Sequence, residues 1–91
     1  LELTVKCLAE AMRKAYLDRD RARGLYETFA WLVEEVGELA EALRTGDVDK
    51  IGEEIADVIA WTVSIANLLG IDVEEALKSK YRGDLSASRC I

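Results

Sequence analysis

A short acidic pattern occurs twice between Val33 and Trp61, and its spacing organises the chain around it. Val33-Glu34-Glu35-Val36-Gly37-Glu38-Leu39 is echoed by Gly52-Glu53-Glu54-Ile55-Ala56-Asp57-Val58, and a shift of 19 positions superposes the two. Each helical residue turns ~100°, so acids three apart lie on neighbouring surface, one turn up. Glu35 with Glu38, and Glu54 with Asp57, are therefore two carboxylate pairs on two helices. The apolar stripe of the first helix is Leu25, Phe29, Leu32, Val36, Leu39 and Leu43. That of the second is Val48, Ile51, Ile55, Val58, Ile59, Thr62, Ile65, Ala66 and Leu69. Glu35 and Glu54 then stand roughly 80–90° from the centre of their stripes, and Glu38 and Asp57 roughly 140–150°. Equal offsets on two helices joined by a short turn predict an antiparallel hairpin with all four acids along one seam. Glu34 and Glu41 point further toward solvent.

Four carboxylates at one seam repel and are costly to keep ionised. A bound divalent cation removes that cost, and all-oxygen ligation suits a hard ion, Mg²⁺ or alternatively Mn²⁺. One acidic pair alone reads as a solvated helix face, because such pairs are common there. Two pairs in matching register, with no basic residue interleaved at those positions, favour the cation.

The same residues resemble the signature of the MazG-like all-α nucleoside triphosphate pyrophosphohydrolases, Glu-Glu-x-x-Glu followed by Glu-x-x-Asp. Here it reads Glu34-Glu35-Val36-Gly37-Glu38, a 15-residue spacer, then Glu54-Ile55-Ala56-Asp57. The likeness runs from about Leu3 to Arg82 and includes Trp31-Leu32-Val33 and Asp57-Val58-Ile59-Ala60-Trp61. The resemblance implies metal ligation by Glu35, Glu38, Glu54 and Asp57. It also implies hydrolysis between the α and β phosphates of a nucleoside triphosphate, to a monophosphate and pyrophosphate. The implied role is removal of unwanted nucleotides from the pool. Glu34 would then orient the attacking water as general base, beside Glu35 and Glu38. Lys80, with Arg82 close by, would help hold the triphosphate; both also suit a helix C-terminus through the dipole alone.

Two rival readings stand beside this one. Phosphoribosyl-ATP pyrophosphohydrolase has a related acidic site but usually carries a Tyr-His pair where this chain has Ala60-Trp61. A catalytically silent helical oligomerisation module would leave the acids merely solvated, at odds with their doubled register.

Around this hairpin the sequence predicts further helices. Leu1, Val5, Leu8, Met12, Ala15 and Tyr16 recur at steps of three and four, giving a first helix over about 2–18. Asp18 to Gly24 reads as a mixed-charge connector whose three arginines are shaped either for phosphate oxygens or for ordinary salt bridges. The second helix is expected from about Leu25 to Arg44, the third from about Val48 to Leu69. Gly46 and Gly70 serve as terminators and Asp47 as an N-cap. Asp72 with Glu75 resembles a capping box opening a fourth helix to about Tyr81. The expectation is one all-α domain over 1–91, four-helix bundle-like, ordered over about 2–82, with 83–91 a frayed tail.

Trp61 follows Asp57 by one turn on the same side, where its ring suits either stacking on a nucleobase or packing at an interface. Gly37 and Gly52 inside helices suggest either close approach of another helix or a tolerated cost. A 91-residue chain is marginal as a monomer, so a homodimer or homotetramer is expected to complete the core.

Charge and composition exclude several classes. A net charge of −6 lacks the basic footprint of nucleic-acid binding. No run approaches the length of a membrane span, and no basic segment precedes an apolar one as in a signal peptide. Cys7 and Cys90 form no metal-binding motif and point to a reducing cytoplasm. The absence of histidine leaves any base chemistry to carboxylates.

Overall fold

The computed structural model describes all 91 residues and contains five α-helices with no strand: α1 Val5–Arg23, α2 Leu25–Thr45, α3 Val48–Leu69, α4 Val73–Lys80 and α5 Arg82–Ala87. The all-α expectation holds. α2 and α3 form the central pair, α1 packs mainly on α3, and α4 packs on α1. Trp31 stacks on Trp61, and Glu38 comes close to Glu54. These partners are nearly equidistant from the Gly46-Asp47 turn, as an antiparallel hairpin requires.

Local chemistry sets the boundaries. The Thr4 hydroxyl accepts from the Cys7 N–H and starts α1. Asp47 accepts from the Asp49 and Lys50 N–H groups and starts α3. Gly46 and Gly70 take left-handed conformations that a Cβ would oppose. At Gly70 the Ile71 N–H returns to the Ala66 carbonyl at 2.9 Å, closing a Schellman-type end. Asp72 caps α4 through the Glu75 N–H, but the Glu75 side chain turns to Lys78 at 3.5 Å, so only half of the expected capping box forms.

Three sequence expectations are corrected. The first helix does not stop near Asp18: it continues to Arg23, because no residue before Gly24 breaks it and Arg23 pairs with Asp20 one turn back at 2.8 Å. Most of the segment expected as a tail lies in α5. The third correction concerns which face of α2 is inside. Phe29, Val36 and Leu43 are each about half exposed, whereas Thr28 and Ala42 are buried and Leu32, Glu35 and Leu39 partly so. The inner face is therefore 28-32-35-39-42, and Glu35 stands on it rather than beside it. On α3, Glu54, Val63, Ser64 and Ala66 are buried, while Val48, Ile55, Ile59 and Leu69 remain open. Periodicity located apolar stripes but not the side from which the neighbouring helices of this chain approach.

No single helix is long and apolar enough to cross a membrane. Cys7 and Cys90 are exposed free thiols. A Cβ added at Gly37 or Gly52 would meet nothing within 4 Å, so no element of this chain requires glycine there.

Candidate functional site

The inward turn of α2 and the N-terminal half of α3 bring three acids together. One carboxylate oxygen each from Glu35, Glu38 and Glu54 lie within 4.8 Å of one another. Glu54 is only 3% exposed, Glu35 partly buried and Glu38 open to solvent, so the cluster runs from the helix seam outward. Asp57 stands one turn further along α3, outside this trio, exposed on the wall of an adjoining cleft. It is near enough to act on the Glu35 charge.

The electrostatics are unfavourable without a counter-ion. Burial, and then the charges of Glu38, Asp57 and Glu54, push the Glu35 carboxyl up to about 7. With both groups ionised, Oε2 of Glu35 and Oε2 of Glu54 are buried without a hydrogen-bond partner; a proton on Glu35 allows a hydrogen bond to Glu54, which adds to the upward push. Orphaned acceptors of this kind are rare and costly in folded proteins. A hard divalent cation fits this donor set: oxygen ligands only, mutually close, two of them lacking any other partner.

Lys50 supplies the only cation recorded on the trio, a residue the sequence reading passed over. Its Nζ lies 3.2 Å from Glu54 Oε1, and 3.9 Å from Glu53. The hydrogen bond to Glu54 holds the ammonium above its usual range. Lys50 precedes Glu54 by four residues, a spacing that was legible as a helical ion pair. One Glu54 oxygen thus faces Lys50 while the other remains orphaned.

Beside the acids, a cleft of about 340 Å³ opens between α1 and α3. Asp57 and Trp61 line it from α3, and Met12, Tyr16, Asp20 and Arg23 from α1. Trp61 lies parallel to Trp31 with ring centroids 6.0 Å apart, and the Arg23 guanidinium sits 4.9 Å from the Trp61 ring. The former connector arginines separate here. Arg23 bonds Asp20 at 2.8 Å and Thr28 at 3.4 Å, while Arg19 lies over the Tyr16 ring.

The remaining sequence candidates lie apart. Glu34 is exposed on α2, one residue from Glu35 but turned toward solvent. Lys80 and Arg82 belong to α4 and α5, beyond the C-terminal end of α3, whereas the acids occupy its first half. Lys80 lies over the Tyr81 ring. The structure does not record either basic residue against the acids within one chain.

Helical hairpin, clustered acids and adjoining cleft together define a candidate site for a metal ion and a phosphate-bearing ligand. The chain belongs to the MazG nucleotide pyrophosphohydrolase domain family, whose model matches residues 23–82. It is also 42% identical over 64 residues to the dATP/dGTP diphosphohydrolase of Cyanophage S-2L. That match covers 70% of this chain, which spans 55% of the relative's length.

Proposed function

We propose that this protein hydrolyses nucleoside triphosphates between the α and β phosphates, releasing a nucleoside monophosphate and pyrophosphate, with Mg²⁺ or Mn²⁺ as cofactor. The observation that carries the reading is the convergence of Glu35, Glu38 and Glu54 with two orphaned buried oxygens. Family membership supports the reaction, and the name of the cyanophage relative supports purine deoxynucleotides among the substrates.

Glu35, Glu38 and Glu54 would hold the ion, with Asp57 completing the set from the cleft wall. Once bound, such an ion neutralises phosphate charge and acidifies water. Glu34, on the exposed shoulder of α2, would take the proton of the attacking water; with no histidine in the chain, a carboxylate must. Trp61 would flank the nucleoside. Lys80 and Arg82 would meet the triphosphate from a second copy, since α4 and α5 stand beyond the far end of α3.

The exposed apolar surface also supports a second copy. Phe29, Val33, Val36 and Leu43 on α2, with Val48, Ile55 and Ile59 on α3, are all substantially exposed in the single chain. Large apolar patches mark interaction surfaces, and a homodimer or a dimer of dimers would cover these. The free thiols suit a reducing cytoplasm.

A panel of ribo- and deoxyribonucleoside triphosphates with Mg²⁺, read by pyrophosphate release, tests the reaction. Release from at least one purine nucleotide is expected. Absence of hydrolysis across the panel would overturn the enzyme reading in favour of a silent helical module.

A further inference from the structure

The cleft between α1 and α3 contains a charged group with no part in the acid cluster. Asp20 is 3% exposed, yet it lines this cleft. Its Oδ1 accepts from the Arg23 guanidinium at 2.8 Å; no side chain or backbone group of the protein donates to Oδ2. A buried carboxylate is retained at a cost unless its acceptor capacity is used. Arg23 uses part of it and neutralises the charge.

Helix register fixes where Asp20 falls along the cleft. The Asn67 side chain donates to the Ala9 carbonyl at 3.1 Å, and Arg23 lies over Trp61, so α1 runs antiparallel to α3. Asp20 and Arg23 therefore stand at the end of the cleft holding Asp57 and Trp61. Tyr16 and Met12 lie roughly 6 and 12 Å further from the acids, at ~1.5 Å per residue. A nucleotide with its phosphates at the acid cluster would meet Asp57 first, Asp20 next, and last the end formed by Met12 and Tyr16, where Arg19 lies over the Tyr16 ring. With its charge neutralised by Arg23, Asp20 offers at the second station an acceptor for a neutral donor rather than a charge for phosphate. In a nucleotide, the neutral donor next to the phosphates is a sugar hydroxyl.

We propose that Asp20 is a substrate-binding residue that accepts a hydrogen bond from a sugar hydroxyl of the nucleotide, with Arg23 holding its carboxylate in place. This rests on the hydrolase reading above. It adds that the pocket reads the sugar through α1, a helix outside most of the family match, which starts at residue 23.

The test compares kcat/KM for dGTP, 3′-deoxy-GTP and 2′,3′-dideoxy-GTP in the wild type, in Asp20→Ala and in Asp20→Asn, with folding followed by circular dichroism. A hydrogen bond to a charged acceptor predicts that removing the hydroxyl it holds lowers wild-type kcat/KM by roughly 10- to 100-fold. A loss confined to the two 3′-deoxy compounds assigns the 3′-hydroxyl. A value for 3′-deoxy-GTP above that of dGTP, with 2′,3′-dideoxy-GTP no worse than dGTP, assigns the 2′-hydroxyl. In Asp20→Ala the discrimination should shrink to under about threefold, and in Asp20→Asn, an uncharged acceptor, to an intermediate value. Wild-type hydrolysis indifferent to both hydroxyls overturns the proposal, as does discrimination that survives in a folded Asp20→Ala protein. If neither variant folds, the wild-type ratios decide. No hydrolysis of any triphosphate by the wild type is a different result, and it removes the reaction itself.

Discussion

Glu35 and Glu54 face one another across the α2–α3 seam, and each keeps a buried Oε2 atom that accepts no hydrogen bond. Two acids in that state raise the free energy of the folded chain unless a cation or a proton joins them.

Glu54→Gln keeps the shape of the side chain and removes one ligand charge. Nucleotide hydrolysis should fall by two or more orders of magnitude, consistent with loss of a group that holds the metal. The metal-free protein should stay folded. Mg²⁺ should raise the melting temperature of the wild type by mass action, and do so much less in the variant. Glu41→Gln is the control, because Glu41 is exposed and pairs only with Arg44 at 3.1 Å. Equal activity and equal Mg²⁺ response in both variants would leave the acids as a solvated face.

Glu35 gives the metal-free protein a distinct pH dependence. Its carboxyl ionises near the ordinary 4.5 when unfolded and near 7 when folded. Between those values the folded form binds more protons than the unfolded form, so stability falls as pH rises from about 4.5 to about 7. The urea midpoint in EDTA should be lower at pH 8 than at pH 5, and Glu35→Gln should flatten the difference. Mg²⁺ should reverse the trend, because it binds the ionised carboxylate and displaces the proton. A midpoint that rises steadily from pH 5 to 8 without metal would contradict this account.

Lys50→Met removes the ammonium 3.2 Å from Glu54. The metal-free variant should be less stable than the wild type, since a buried carboxylate loses its partner. It should also gain more from Mg²⁺, because the cation no longer competes with a fixed positive charge. Calorimetric melting with and without Mg²⁺ measures both. A smaller Mg²⁺ gain than in the wild type would mean that Lys50 chiefly orients Glu54.

Ile59→Glu, on the exposed face of α3, should convert an oligomer to monomer in sedimentation at micromolar concentration. A wild type that is already monomeric there would remove the second copy from the proposal. Gly37→Ala separates the two readings of that glycine. Nothing within 4 Å opposes a Cβ in the single chain, so alanine should stabilise the helix by about 1 kcal/mol. Weakened association instead would locate a helix of the second copy against α2.

The ends of α2 and α3 and the start of α4 were legible because Asp47, Gly46, Gly70 and Asp72 act locally, within a few residues of themselves, whereas the end of α1 and the whole of α5 were not. The acid pairs were legible because an i,i+3 spacing is preserved in any helix. The rotation of α2 was not. Phe29, Val36 and Leu43 are more apolar than Thr28, Glu35 and Ala42, and a helical wheel assigns the apolar set to the core. Only the approach of α3 and α1 selects the other side. Asp20 was missed for a related reason: a charge among Asp18, Arg19, Arg21 and Arg23 looks solvated until the helix is seen to continue past it.

That rotation of α2 has a consequence for how such a chain changes over time. Polar groups at positions 35 and 54 occupy ground that leucine would fill with a gain in stability, as apolar replacements of buried charges often do. Glu35→Leu combined with Glu54→Leu should melt at a higher temperature than the metal-free parent, and lose all response to Mg²⁺. Selection for hardiness alone would therefore erode the site first and leave the hairpin standing. Persistence of both acids in a lineage exposed to heat would show that the chemistry is under selection in its own right.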